Sequence, residues 1–104
     1  MALRVRVCRL ADVVPGELNP FKVKGVTWPV ILAYVGSDLV ACAGVCPHED
    51  VALAEGYLHE SVVMCPAHSY TFNLHTGKCS HDASLNLRRY NVTVVGDDVY
   101  VDLI

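Results

Sequence analysis

A chain of 104 residues suits one domain around one modest core. Its formal net charge of −3 at pH 7 argues against nucleic acid, which calls for a basic face. Five cysteines, an odd number, cannot all pair within the chain, so they are expected as thiols or metal ligands in a reducing compartment.

From the N-terminus, "LRVRVCRL" alternates at Arg4, Val5, Arg6 and Val7, as a half-buried strand does. "NPFKVKG" and "PVILAYV" are β-rich and bounded by Pro or Gly, and "GSD" at 36–38 turns the chain into "LVACAGV". A loop-rich centre follows, where residues 51–55 could form a helical turn. "SVVM" and "YTFNL" then read as strands, with "HTG" at 75–77 as a turn, and "YNVTVVGDDVYVDLI" reads as two strands around Gly96, Asp97 and Asp98. No stretch sustains a 3.6-residue period, so an all-β antiparallel sandwich or barrel is the predicted class. The apolar runs at 30–35 and 39–46 are under half the length that spans a membrane. "MALRVRVCRL" never builds the apolar block of a signal peptide. A soluble, cytoplasmic protein is the expectation.

Charge is unevenly distributed. Residues 25–77 hold five acids and no Lys or Arg, while the flanks carry all eight basic residues against six acids. The acidic surplus surrounds "GVCPHED", which places Cys46 and His48 two apart across Pro47. After sixteen intervening residues, Glu49 to Met64, comes "CPAH", with Cys65 and His68. Each half sets a Cys and a His at the tip of a Pro-containing loop flanked by strand-like sequence. Two such loops projecting from one end of a β protein could close over a single centre. Two thiolates and two imidazoles suit Zn²⁺, and equally a [2Fe–2S] cluster with two Cys on one iron and two His on the other. Common zinc fingers supply their cysteines as one pair and their histidines as another. Here each loop gives one of each.

With these ligands in view, the sequence resembles the Rieske family, whose pattern is C-x-H, an intervening stretch of this length, then C-x-x-H. The likeness extends to "EGYL", "YTF", "TGK" and the terminal "GDDVYV". It implies one Rieske domain over 1–104, a β sandwich with a cluster-binding subdomain at about 45–76. It further implies one [2Fe–2S] cluster, with Cys46 and Cys65 on the inner iron and His48 and His68 on the outer one. Such a site is neutral when oxidised and singly negative when reduced, whereas a four-cysteine cluster starts doubly negative. The electron therefore enters more easily, and potentials in the class run from roughly −150 to +300 mV. High-potential members carry two further cysteines bonded across the loops, where this chain has Val51 and Ala67. They also carry a Ser and a Tyr that donate to the cluster sulfurs, where it has Tyr70 and Phe72. A potential at the low end of the range follows.

The remaining residues of interest are expected to be bystanders. His59, His75 and His81 lie in turn-like stretches without ligand spacing. Cys42 is expected as a buried small hydrophobe, Cys8 and Cys79 as surface thiols, Trp28 as packing, and Gly56 and Gly77 as turn glycines with positive φ.

The resemblance implies an electron carrier rather than an enzyme, in transient contact with a flavin-containing reductase and an oxygenase or hydroxylase, and with neither membrane nor nucleic acid. No 2-His-1-carboxylate iron site is present to make the chain itself an oxygenase. "TFNLHTGKCSHDASLNLRRYNVTVVGDDVYV" is similar to the ferredoxins of toluene-type monooxygenases, which serve aromatic hydrocarbon catabolism. Ferredoxins of ring-hydroxylating dioxygenases typically have a proline-containing stretch in place of "CSHDAS". The alternatives are such a dioxygenase ferredoxin, a small subunit of a nitrite reductase, or a zinc-binding module.

Overall fold

The structure is a computed structural model that describes residues 3–67 and 69–103. Among these the chain is all-β, with nine strands in two antiparallel sheets and two single 3-10 turns. No helix among the described residues is long and apolar enough to cross a membrane. The larger sheet is built from β1 (Arg4–Arg9), β2 (Asn19–Phe21), β3 (Val30–Val35), β4 (Asp38–Ala43), β8 (Arg89–Val95) and β9 (Asp98–Asp102) in the order β1-β9-β8-β4-β3-β2. The smaller holds β5 (Tyr57–His59), β6 (Val62–Met64) and β7 (Thr71–Asn73) in chain order.

The alternation of β1 is interrupted. Its pairing with β9 slips between Arg6 and Cys8, opposite Tyr100 and Val99, so Val7 forms a bulge. The bulge resets the side-chain period. Arg4 and Arg6 stay outside, bonded through Nε to Asp102 Oδ1 at 2.9 Å and Asp98 Oδ1 at 3.0 Å. Cys8 is turned inward and buried. The expectation of a surface thiol fails there because a strict two-residue period cannot register a bulge.

The β3–β4 hairpin, closed by Gly36 at φ +62°, is buried on both faces. Val30, Leu32 and Ala41 face one apolar cluster with Cys8, Val13, Val99, Val101 and Leu103. Ile31, Ala33, Val35, Val40 and Cys42 face another with Leu53, Val63, Phe72 and Leu74. A strand covered on both sides has no polar face to show, and so reads as a continuous apolar run. Each such Val, Leu or Ile contributes about 1.5–3 kcal/mol by its burial. β2 is an edge strand, which explains how it accommodates Pro20. Beside it Asn19 is buried: it accepts from the Val14 N–H and donates to the carbonyls of Val14, Glu17 and Leu32.

Two adjacent arginines join distant parts of the chain. Arg88 donates to the carbonyl of Leu103 at 2.6 Å, and Arg89 to that of Leu74, just past β7, at 2.8 Å. Residues 78–80 run alongside β7, with Asn73 N–H donating to Lys78 O and Ser80 N–H to Thr71 O. This pairing sets Cys79 opposite Phe72 and buries it, against the expectation of a surface thiol. His59 ends a three-residue strand rather than lying in a turn.

Candidate metal centre

Both cysteine–histidine loops are closed by the same backbone device. Cys46 N–H donates to the carbonyl of Val51 at 3.1 Å, and Cys65 N–H to that of Tyr70 at 2.7 Å, each spanning five residues. The first loop is further held by a bridge between Val45 and Ala52 and by Leu53 N–H donating to Gly44 O at 2.9 Å. The 3-10 turn Leu53–Glu55 then completes the helical turn foreseen at 51–55. The second loop is the connection between β6 and β7, whose last pair before it is Met64 with Thr71.

Space fixes the first loop as much as hydrogen bonding does. A Cβ on Gly44 would lie 2.2 Å from the Pro29 carbonyl oxygen, and one on Gly56 2.0 Å from that of Met64. Gly56 therefore serves close approach to β6 and not a positive φ, since its φ is −84°. Gly77 meets its expectation, with φ +80°. Gly44 and Gly56 thus hold the two ends of this region close against Pro29 and Met64.

The two cysteines are buried together. Cys46 and Cys65 are each 1% exposed and belong to the same buried apolar cluster. Burial pushes the Cys46 thiol up from its ordinary value and Cys65 adds to the rise, while donated N–H bonds from Glu49 and His48 act the other way. A metal charge that replaced the thiol proton would turn those N–H groups into supports for thiolate sulfur. His48 Nδ1 is sealed from solvent, although the residue as a whole is half-buried. His68 lies outside the described residues. Among those described, no three His, Cys, Asp or Glu side chains gather as a single-ion site. Two buried soft sulfurs, with N–H donors beside one of them and a histidine ring nitrogen withheld from water, suit a metal centre of mixed thiolate and imidazole donors.

Around this core, Val51 is half-buried against the apolar cluster and Phe72 is fully buried in it. All five cysteines are free. Tyr70 stacks on the His48 ring, with centroids 4.0 Å apart and planes 18° from parallel. His81 stacks in turn on Tyr70, at 5.0 Å and 14°. No ligand spacing marks this third ring, because its placement depends on the pairing of residues 78–80 with β7. Asp82, in that loop, is held below the usual carboxylate range by the Ser84 hydroxyl and N–H, with a further contribution from His48. His59 and His75 are exposed and apart from this stack. Glu49 and Asp50 are exposed beside His48.

Comparison with known proteins agrees with this geometry. The family model described as the Rieske [2Fe-2S] domain matches residues 4–95. The chain is 40% identical to the ferredoxin component of biphenyl 2,3-dioxygenase of Rhodococcus jostii (strain RHA1), over 99% of this chain and 94% of that protein. It is 37% identical to the 3-phenylpropionate/cinnamic acid dioxygenase ferredoxin subunit of Escherichia coli (strain K12), over 96% and 93%. Among solved structures, a chain from a complex of reduced oxygenase and oxidised ferredoxin in carbazole 1,9a-dioxygenase superposes with a TM-score of 0.83 at 31% identity, over 95% of this chain and 92% of that one. The protein belongs to the Rieske [2Fe-2S] family, with the all-β fold and the iron–sulfur cofactor of that family.

Proposed function

We propose that Cys46 and Cys65 hold one iron and His48 and His68 the other, and that the chain carries single electrons from a flavin-containing reductase to an oxygenase. The bound cluster supplies a one-electron acceptor that needs no proton or substrate. The chain's own residues do the rest. The two loop closures fix the backbone of each cysteine, N–H donors settle charge on Cys46, and the apolar cluster around Phe72 keeps water from the inner side. The joint burial of Cys46 and Cys65 in one cluster, each at the start of a loop closed by the same backbone bond, carries this assignment. Residues 45–76, with the small sheet at their centre, form the cluster-binding subdomain of a single domain over 1–104 in this reading.

The oxygenase is read as one of the ring-hydroxylating dioxygenase class, supported by the names of the relatives above. A toluene-type monooxygenase is the second reading, favoured by "CSHDAS" in place of a proline-containing stretch. Five free cysteines suit the reducing cytoplasm. With Phe72 unable to donate to sulfur, and with Val51 and Ala67 where a bridging disulfide would sit, the potential belongs at the low end of roughly −150 to +300 mV.

Anaerobic reduction followed by EPR tests the assignment. A rhombic signal of low average g, lost in Cys46→Ser and in Cys65→Ser, is expected; a colourless protein with one zinc per chain would refute it. Reconstitution with a dioxygenase and with a diiron hydroxylase then separates the two partner readings. The exposed Glu49 and Asp50 make an acidic rim suited to a basic partner patch. The rate of reduction by the partner should fall as salt rises, and a flat dependence would remove the rim from the docking account.

A further inference from the structure

We infer that Tyr70 and His81 are positioning residues that fix the plane of the His48 ring through one continuous stack. The inference rests on reading His48 as a ligand. A histidine ring turns about a broad, roughly two-fold torsion, so a flat neighbour packed against its face helps to set its plane. Tyr70 lies almost parallel against that ring at 4.0 Å, and His81 lies almost parallel against Tyr70 at 5.0 Å. The stack leads from a nitrogen sealed from solvent to an exposed residue.

The outer ring is itself held on several sides. Thr71 N–H donates to His81 Nδ1 at 3.5 Å, and Ser80 Oγ lies 3.1 Å from the same nitrogen. His81 N–H donates to the sulfur of the buried Cys79 at 3.4 Å. Ser80 N–H donates to Thr71 O at 3.0 Å, and the hydroxyls of Thr71 and Ser80 are bonded to each other. Just beyond, Asp82 accepts from the N–H and hydroxyl of Ser84, which turns the chain. With Nδ1 accepting from a backbone N–H, the neutral ring carries its hydrogen on Nε2. Both anchors of His81, Thr71 and Cys79, belong to β7 and the segment paired with it. The stack therefore references the His48 ring to the small sheet, as partners beyond the immediate ligands commonly do at metal sites.

The test uses the cluster-loaded protein labelled with ¹⁵N-histidine, with nitrogen hyperfine couplings read by pulsed EPR in the reduced state. Tyr70→Ser removes the middle ring and should shift the coupling of one histidine nitrogen while leaving the other. His81→Ala should shift the same coupling by less, and Tyr70→Phe and His81→Phe should keep the wild-type values. Wild-type-like couplings in loaded Tyr70→Ser would overturn the inference. Should that variant fail to hold its cluster, His81→Ala decides alone: unchanged couplings overturn the inference, and a shift reversed in His81→Phe supports it. A wild type without histidine couplings would instead overturn the ligand assignment, so the two failures are distinct.

Discussion

The two faces of the β3–β4 hairpin serve different ends. One face, with Val30, Leu32 and Ala41, packs into a cluster with Val99, Val101 and Leu103 that includes neither Cys46 nor Cys65. The other, with Ile31, Ala33 and Cys42, packs into a cluster that includes Cys46, Cys65, Phe72 and Cys79. The same two strands thus hold a scaffold on one side and the wall of the site on the other. The first is needed for folding alone; the second sets both folding and what the loops can hold.

The sharpest way to separate the two is to hollow each in turn. Phe72→Ala should cost about 3–5 kcal/mol and Leu32→Ala about 2–5 kcal/mol in urea unfolding. Only Phe72→Ala should also change the EPR line shape of folded protein; an equal change from Leu32→Ala would erase the distinction. Asn19→Leu comes next. It strips donors from the carbonyls of Val14, Glu17 and Leu32, and should lower stability by about 1–3 kcal/mol with an unchanged spectrum.

A smaller effect is expected from alkali, and it falls on the site side. Burial raises the Cys42 thiol from 9.0 to about 12, against a lowering by Arg89. Below pH 9 both folded and unfolded chains keep that proton, and its contribution is complete. Between 9 and about 12 the unfolded chain gives it up first, so stability falls by about 1.4 kcal/mol per pH unit. Cys42→Val should flatten that slope in chemical denaturation at pH 9–11, and an unaltered slope would refute the assignment. The smallest effect belongs to the scaffold edge. Arg6→Ala removes an ion pair with both partners well exposed and should leave the urea midpoint within experimental scatter.

These regions differed in how far the amino-acid order disclosed them. β8 and β9, with their turn at Gly96, were legible, as was β1 up to its bulge, because a half-buried strand alternates. β3 and β4 were found through their Gly and Pro boundaries, since two buried faces leave no alternation. β5 was missed: three residues with Tyr57 69% exposed are a strand only because β6 pairs with them. The burial of Cys46 and Cys65 in one cluster was foreshadowed by the repeated Cys–His spacing, a long-range signal that hydropathy does not carry. The burial of Cys79 and the stacking of His81 were not visible, because both follow from the pairing of 78–80 with β7.

Arg88 and Arg89 act together as a lock on strand register. Being neighbours, they point to opposite sides of the sheet, and each ends on a main-chain oxygen of a different segment, Leu103 or Leu74. Shifting β8 by one residue would exchange their sides and break both attachments in one move, while also inverting every side chain that follows. Single-residue misalignment at the start of β8 is thereby made doubly unfavourable.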